Sequence, residues 1–192
     1  PKMVVDSQNL QKADDHYDSP HPRDSLSLGA VFFTSGTTGK PKGVMHTWHS
    51  LIGNARAFNE HTGMTEKTKM YHVLPMTYMA GFLNTVLCPI CCGGTIVLGE
   101  RFTPRSVLTF WSDINKLGAN AVWLTPTIVS ALNSMVRDQE KCRSIANSLD
   151  YVFCGTAPLQ ESVRWNFYKT FGVPLQESYG TSELLLISVQ NN

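Results

Sequence analysis

The sequence predicts an α/β fold, a doubly wound and mostly parallel sheet flanked by helices. Three observations carry this expectation. Short apolar runs of strand length alternate with longer helix-like segments along most of the 192 residues, the pattern of linked βαβ units. Proline and glycine fall at the joints between them. A loop crowded with glycine, hydroxyl and lysine side chains follows the first apolar run, where open α/β sheets receive ligands.

In chain order, residues 1–27 are polar, with Asp, His, Ser and Pro, and read as a flanking segment; residues 28–192 read as the folded domain. Ala30-Val31-Phe32-Phe33 reads as a buried strand. After the loop, Val44-Met45 admits a second short strand. Helix-like segments cover 48–60, 80–87, 103–117, 127–140 and 159–171, and strands 70–74, 95–98, 121–124, 151–154 and 175–177. Pro104 and Pro126 mark helix starts, and Gly118 and Gly172 mark helix ends. The chain is long enough to bury a substantial core. No internal repeat or low-complexity tract interrupts it.

The stretch 73–99 has no charged residue and is long enough to span a bilayer. Pro75, Gly81, Pro89, Gly93 and Gly94 divide it into a loop, a helix, a turn and a strand, so it reads as buried α/β structure and not as a transmembrane segment. The formal net charge of +1 makes no electrostatic case for nucleic acid or acidic lipid. No signal pattern opens the chain, and the expected location is cytoplasmic.

The loop holds the densest chemistry. Thr34, Ser35, Gly36, Thr37, Thr38, Gly39, Lys40, Pro41, Lys42 and Gly43 combine backbone able to approach a ligand closely, hydroxyl and N–H donors, and mobile positive charge. That combination binds phosphate. It is no Walker A loop, because Gly36 and Gly39 stand too close together and Pro41 follows the first lysine. An ordinary Gly/Ser/Thr hairpin is the alternative, though a plain turn needs no pair of lysines. Downstream, Tyr179 offers a flat face to a purine, Thr181 a hydroxyl and Glu183 a hard oxygen for Mg²⁺.

These segments resemble the motifs of the adenylate-forming (AMP-binding) superfamily, which includes acyl-CoA and aryl-CoA synthetases. Thr34 to Gly43 looks like its phosphate loop, Phe153-Cys154-Gly155-Thr156-Ala157-Pro158-Leu159 its adenine-side segment, and Ser178-Tyr179-Gly180-Thr181-Ser182-Glu183 its aromatic-Gly-Thr-x-Glu motif. The three stand in family order from about Leu28 to the end of the chain. The resemblance implies ATP-dependent formation of an acyl-adenylate, followed by transfer to a thiol of CoA or a carrier protein. It implies that the loop from Thr34 to Lys42 binds phosphates, that Gly155, Thr156 and Ala157 contact adenine, and that Tyr179 stacks on it beside Gly180. Thr181 then meets the α-phosphate and Glu183 binds Mg²⁺. Which of Lys40 and Lys42 faces the phosphates stays open.

Leu74-Pro75-Met76-Thr77-Tyr78-Met79-Ala80-Gly81-Phe82 lies where the superfamily places part of its acyl pocket, with Tyr78 and Gly81 as pocket candidates. No Asp or Glu occurs between Lys69 and Glu100, so an amino-acid ammonium would find no partner. An uncharged acyl or aryl carboxylic acid is expected. Tyr78 stands where relatives carry a His or another aromatic, and its role as a gate or as a core aromatic stays open.

Five cysteines, an odd number, form no disulfide framework; Cys88-Pro89-Ile90-Cys91-Cys92 sits in the most apolar stretch and reads as free thiols of a reducing compartment. His46 and His49 are spaced to share a helix face, with metal binding, solvation and capping as the options. The superfamily's ribose-binding Asp, hinge and carboxyl-terminal domain have no counterpart in this sequence, which runs nine residues past Glu183. The chain therefore reads as a central fragment of the large amino-terminal domain, whose partners include the missing domains. A non-catalytic ATP/AMP-binding module and an adenylation domain that loads a carrier protein are the alternatives.

Overall fold

The structure, a computed structural model, describes residues 25–34 and 40–190. The alternation seen in the sequence becomes a six-stranded sheet in the order β4-β3-β5-β6-β7-β8, built from β3 (Lys69–His72), β4 (Thr95–Leu98), β5 (Ala121–Leu124), β6 (Tyr151–Cys154), β7 (Gln176–Thr181) and β8 (Leu185–Val189). The first five of these pair in parallel, and β8 turns back antiparallel on β7. Every residue of β5 is buried, as expected for a strand covered on both faces.

Helices lie on both sides. Helix α1 (Trp48–Thr62) sends Phe58 against Trp123 and Phe153, neighbours across the β5–β6 pair at ring-centroid distances of 5.5 and 5.3 Å. On the other side, α3 (Phe110–Leu117) meets α6 (Glu161–Phe171) through Trp111 and Phe171, 4.9 Å apart. Helices α4 (Pro126–Ser134) and α5 (Gln139–Asn147) complete that layer. The ends follow capping chemistry: Thr47, Thr125 and Asp138 accept the N–H of Ser50, Ile128 and Lys141, and Gly63, Gly118 and Gly172 close helices in the left-handed conformation.

Several local expectations change. The segment 30–33 belongs to β1 (Leu28–Thr34), which pairs antiparallel with β2 (Lys42–Thr47) in a separate two-stranded hairpin. Only Phe32 of β1 is buried, so the apolar run is not a fully buried strand. The expected helix over 103–117 splits into a short 3₁₀ turn at Ser106–Leu108 and α3, and that over 127–140 splits into α4 and α5 where Asp138 caps a new helix. The segment 80–87 is a π-helix running into the short α2 (Cys88–Cys91). Within it the Thr85 hydroxyl donates to the Gly81 carbonyl at 2.8 Å, competing for an acceptor that a regular helix keeps for its own backbone. Gly81 is buried, and a Cβ there would collide with the Pro75 carbonyl. Ser25 and Ser27, read as part of the flank, accept backbone N–H groups of His49 and Trp48 and so meet the start of α1.

No helix among the described residues is long and apolar enough to cross a membrane. All five cysteines are free, and burial pushes the Cys88 thiol well up from its ordinary value, as befits an inert core thiol.

Candidate functional site

The carboxyl ends of parallel strands are where a doubly wound sheet leaves room for a ligand, and a cleft of about 580 Å³ opens beyond the end of β6, beside the part of β7 that runs on past it with β8. Thr156, Ala157 and Pro158 line it together with Tyr179 and Gly180 and with Ser188 to Gln190 of the returning chain. Two segments singled out separately in the sequence thus share one opening.

Backbone geometry explains why these residues sit so close. Gly155 follows β6, is buried, and donates its N–H to the Leu124 carbonyl at 3.1 Å. A Cβ on it would collide with the Ser178 hydroxyl and approach the Ser178 carbonyl to 3.1 Å, so glycine lets β6 and β7 close under the cleft floor. The next residue, Thr156, has φ 80, a left-handed conformation that costs a β-branched residue strain; it swings the chain out to line the cleft. Gly180 abuts the Leu185 carbonyl, where a Cβ has no room, and an irregularity in the β7–β8 register falls beside it. Tyr179 is 60% exposed, leaving its ring free for a ligand.

Cys154 and Glu177 lie deeper in the cleft. Burial, reinforced by the Glu177 carboxylate, pushes the Cys154 thiol up to about 12, so it is no nucleophile near neutral pH. Glu177 pairs with Arg164 at 3.2 Å, a part-exposed bridge worth about 1 kcal/mol or less. Neither partner of that pair stood out in the sequence, and Ser178 figured there only as part of the motif with no role of its own, because their significance lies in which strands meet.

Thr181 and Glu183 stand beyond the cleft, at the turn between β7 and β8. The Thr181 hydroxyl accepts the Leu184 N–H at 3.1 Å, which shapes the turn and leaves its own proton to give, and Glu183 is exposed. The half-buried Ser182 between them belongs to the motif but has no role assigned from the sequence. Its carbonyl receives a hydrogen bond from His46 Nε2 at 2.6 Å. His46 is therefore a buried strand residue of β2, not a solvated or helix-face histidine, while His49 lies exposed in the first turn of α1.

The candidate phosphate loop is the tip of the β1–β2 hairpin, whose last described pair is Thr34 opposite Lys42. Ser35, Gly36, Thr37, Thr38 and Gly39 lie outside the described residues. Lys40 and Lys42 are both exposed. Paired residues of an antiparallel ladder share a face, so Thr34 and Lys42, Phe32 and Val44, and Ala30 and His46 line one side. That side is the one on which His46 meets Ser182.

Tyr78 stands apart from the cleft at the entrance to the π-helix, half-buried, with burial pushing its phenol up from the ordinary value. Beneath this region His72, at the end of β3, lies 2.6 Å from the Thr85 hydroxyl. Because that hydroxyl gives its proton to Gly81, His72 Nδ1 is the donor, and burial lowers the imidazole below its ordinary value. No group of three or more His, Cys, Asp or Glu among the described residues is placed to hold a metal by itself. A lone carboxylate such as Glu183 suits Mg²⁺ only in company with a ligand's phosphates.

The family model described as AMP-binding enzyme matches residues 2–192. Among curated proteins the chain is similar to the mitochondrial malonate–CoA ligase of Xenopus laevis, 30% identical over 169 residues that make up 80% of this chain and 28% of the relative. It is also similar to the medium-chain fatty-acid–CoA ligase of Escherichia coli K12, 31% identical over 159 residues, 81% of this chain and 26% of the relative. The chain thus spans little more than a quarter of these relatives. Among solved structures, a malonyl-CoA ligase ternary product complex with methylmalonyl-CoA and AMP bound superposes with a TM-score of 0.79 at 22% identity, covering 86% of this chain and 35% of that one; at that identity the likeness shows the fold.

Proposed function

This chain belongs to the AMP-binding enzyme family, and from that premise we propose that it supplies the nucleotide-binding part of an ATP-dependent acid–thiol ligase. The observation that carries the reading is the shared cleft, lined together by Thr156 to Pro158 and by Tyr179 and Gly180. In the proposed reaction a carboxylate oxygen attacks the α-phosphorus of ATP, an acyl–O–P bond forms, and the bond to the β-phosphate breaks to release pyrophosphate. The acyl group then passes to a thiol, that of CoA in this reading.

The chain's own residues divide this task. Tyr179 stacks on the adenine, and the backbone of Gly155 to Ala157 meets its edge. Thr181 donates its hydroxyl proton to the α-phosphate. Lys42 serves the outer phosphates in preference to Lys40, because it shares the inward face of the hairpin with His46. Glu183 is one oxygen ligand of Mg²⁺, which when bound neutralises phosphate charge as the leaving group departs. Positioning and charge neutralisation of this kind are what an attack between two anions requires.

The acid proposed is one with an uncharged tail. Residues 70–100 contain no Lys or Arg, and burial disfavours the charged form of His72. A second carboxylate would gain no cationic partner from this segment and would be costly to bury unpaired. The relatives differ on this point, one being named for malonate and another for medium-chain fatty acids. The reaction is proposed for the whole protein, nucleotide binding for this chain, and the setting for both is the cytoplasm.

Calorimetric titration of the chain with ATP·Mg²⁺ and AMP, then pyrophosphate release with octanoate, benzoate and malonate, tests the reading. Saturable binding of both nucleotides, with any turnover favouring octanoate or benzoate, is expected. Turnover with malonate alone would overturn the uncharged tail, and absence of nucleotide binding would overturn the assignment of the cleft.

A further inference from the structure

We propose that His46 is a positioning residue of this site, holding the turn that carries Thr181 and Glu183 against the hairpin face that carries Thr34 and Lys42; its nucleotide arm rests on the reading above. The hairpin separates its faces cleanly. Val31, Phe33 and Met45 point outward and are exposed, whereas Phe32 and His46 on the other side are buried, His46 to 8% exposure. The imidazole packs on Phe32 with ring centroids 5.8 Å apart, and its Nε2 reaches the Ser182 carbonyl at 2.6 Å across a sequence separation of 136 residues.

A carbonyl can only accept, so Nε2 carries the proton. The neutral Nε2–H tautomer and the imidazolium both present that donor, and the link survives protonation. The turn it grips is internally braced by the Leu184 N–H donated to Thr181. One hydrogen bond therefore moves or fixes Thr181, Ser182 and Glu183 as a unit. Lys42 lies four residues along the same strand, about 13 Å away at the rise of an extended chain, a gap that a lysine side chain and a triphosphate together span. Packing on Phe32 needs only an apolar side chain at this position. The donor is the part that bulk alone does not explain.

Methionine and glutamine are near-isosteric and differ in that donor, so His46→Met and His46→Gln separate packing from positioning. In the intact chain, His46→Met is expected to bind ATP·Mg²⁺ about tenfold more weakly, as befits one lost hydrogen bond, while AMP, which meets Thr181 through its α-phosphate but needs neither Glu183 nor Lys42, weakens less, about threefold. His46→Gln is expected to recover most of the loss. Equal losses for both nucleotides, or a Gln variant as weak as Met, would overturn the proposal. A nucleotide-independent arm follows Leu184 amide exchange by NMR. Faster exchange in His46→Met, restored in His46→Gln, supports positioning even if wild type binds no nucleotide, a result that would sink the assignment of the cleft instead. Unchanged Leu184 exchange, or a Met variant that fails to fold while Gln folds, overturns it in favour of a purely structural role.

Discussion

The Asn54 side-chain amide pairs with both backbone groups of Leu186, donating from Nδ2 to the carbonyl at 2.8 Å and accepting the N–H at Oδ1 at 3.2 Å. It does for β8, the last strand of the sheet, what a further strand would do, and it binds α1 to that strand. A free strand edge otherwise presents unpaired groups. Asn54→Ala is expected to destabilise the fold by about 1–3 kcal/mol, since two partly buried backbone groups lose their partners. Asn54→Asp keeps only the acceptor and should fall between. Urea titrations compare them, and equal stability of Asn54→Ala and wild type would show that water replaces the amide without loss.

Gly155 is the point at which the cleft floor tolerates no side chain. Gly155→Ala places a methyl group against the Ser178 hydroxyl and carbonyl, and should both lower stability and abolish AMP binding. Adding Ser178→Ala removes the hydroxyl but not the carbonyl, so recovery should be partial. Full recovery would mean that only the side chain is in the way.

The division of labour over the nucleotide makes separable demands. Lys42→Ala should weaken ATP more than AMP, and Lys40→Ala should do so less than Lys42→Ala. Tyr179→Ala should weaken both nucleotides, by about 1–3 kcal/mol for a stacked base, without affecting thermal stability because the ring is exposed. Glu183→Gln should reduce the Mg²⁺ dependence of ATP binding. Titration calorimetry reads all four, and identical effects of the two lysine changes would remove the preference for Lys42.

His72 makes the fold sensitive to acid. Burial lowers its pKa below the ordinary 6.5, so as pH falls through about 6.5 the unfolded chain takes up this proton first. The stabilising contribution is complete above that pH and is lost as pH falls towards the folded value. Chemical denaturation at several pH values should show this loss in wild type and a shallower one in His72→Gln. The same slope in both would place the sensitivity in another group.

The outward face of the hairpin exposes Phe33 at 73% and Met45 at 72%, with Val31 between them at 38%. Adjoining apolar side chains of this size favour association. Sedimentation velocity should show concentration-dependent self-association of the chain, abolished by Phe33→Thr combined with Met45→Lys. A monomer at all concentrations would mean that the face is innocuous by itself.

Much of the fold was legible because it depends on local rules. The alternation of short apolar runs and helical segments announced the parallel sheet, and Pro126, Gly118 and Gly172 marked helix ends through backbone restrictions that act within one turn. The break between α4 and α5 was hidden by the apolar Met135 and Val136, which prolong a helical pattern past the end of α4. The π-helix was also hidden, since it depends on where Thr85 and Gly81 send their hydrogen bonds. Strand β1 misled for a related reason: two consecutive phenylalanines read as buried, yet only Phe32 faces the interior.

The candidate site divides along the same line. The amino-acid sequence by itself determined the α/β class, the residue types of the candidate phosphate loop, and those of the Gly155 and Tyr179 segments, because composition and short-range spacing are written in the chain. Only the tertiary structure decided that Thr156 to Pro158 and Tyr179 share a cleft, that Lys42 lies on the face meeting Ser182, and that His46 is the donor closing that contact. The physical reason is separation: a hydrogen bond between residues 136 positions apart leaves no periodic or local trace, and exists only once strand pairing and packing have brought its two ends together.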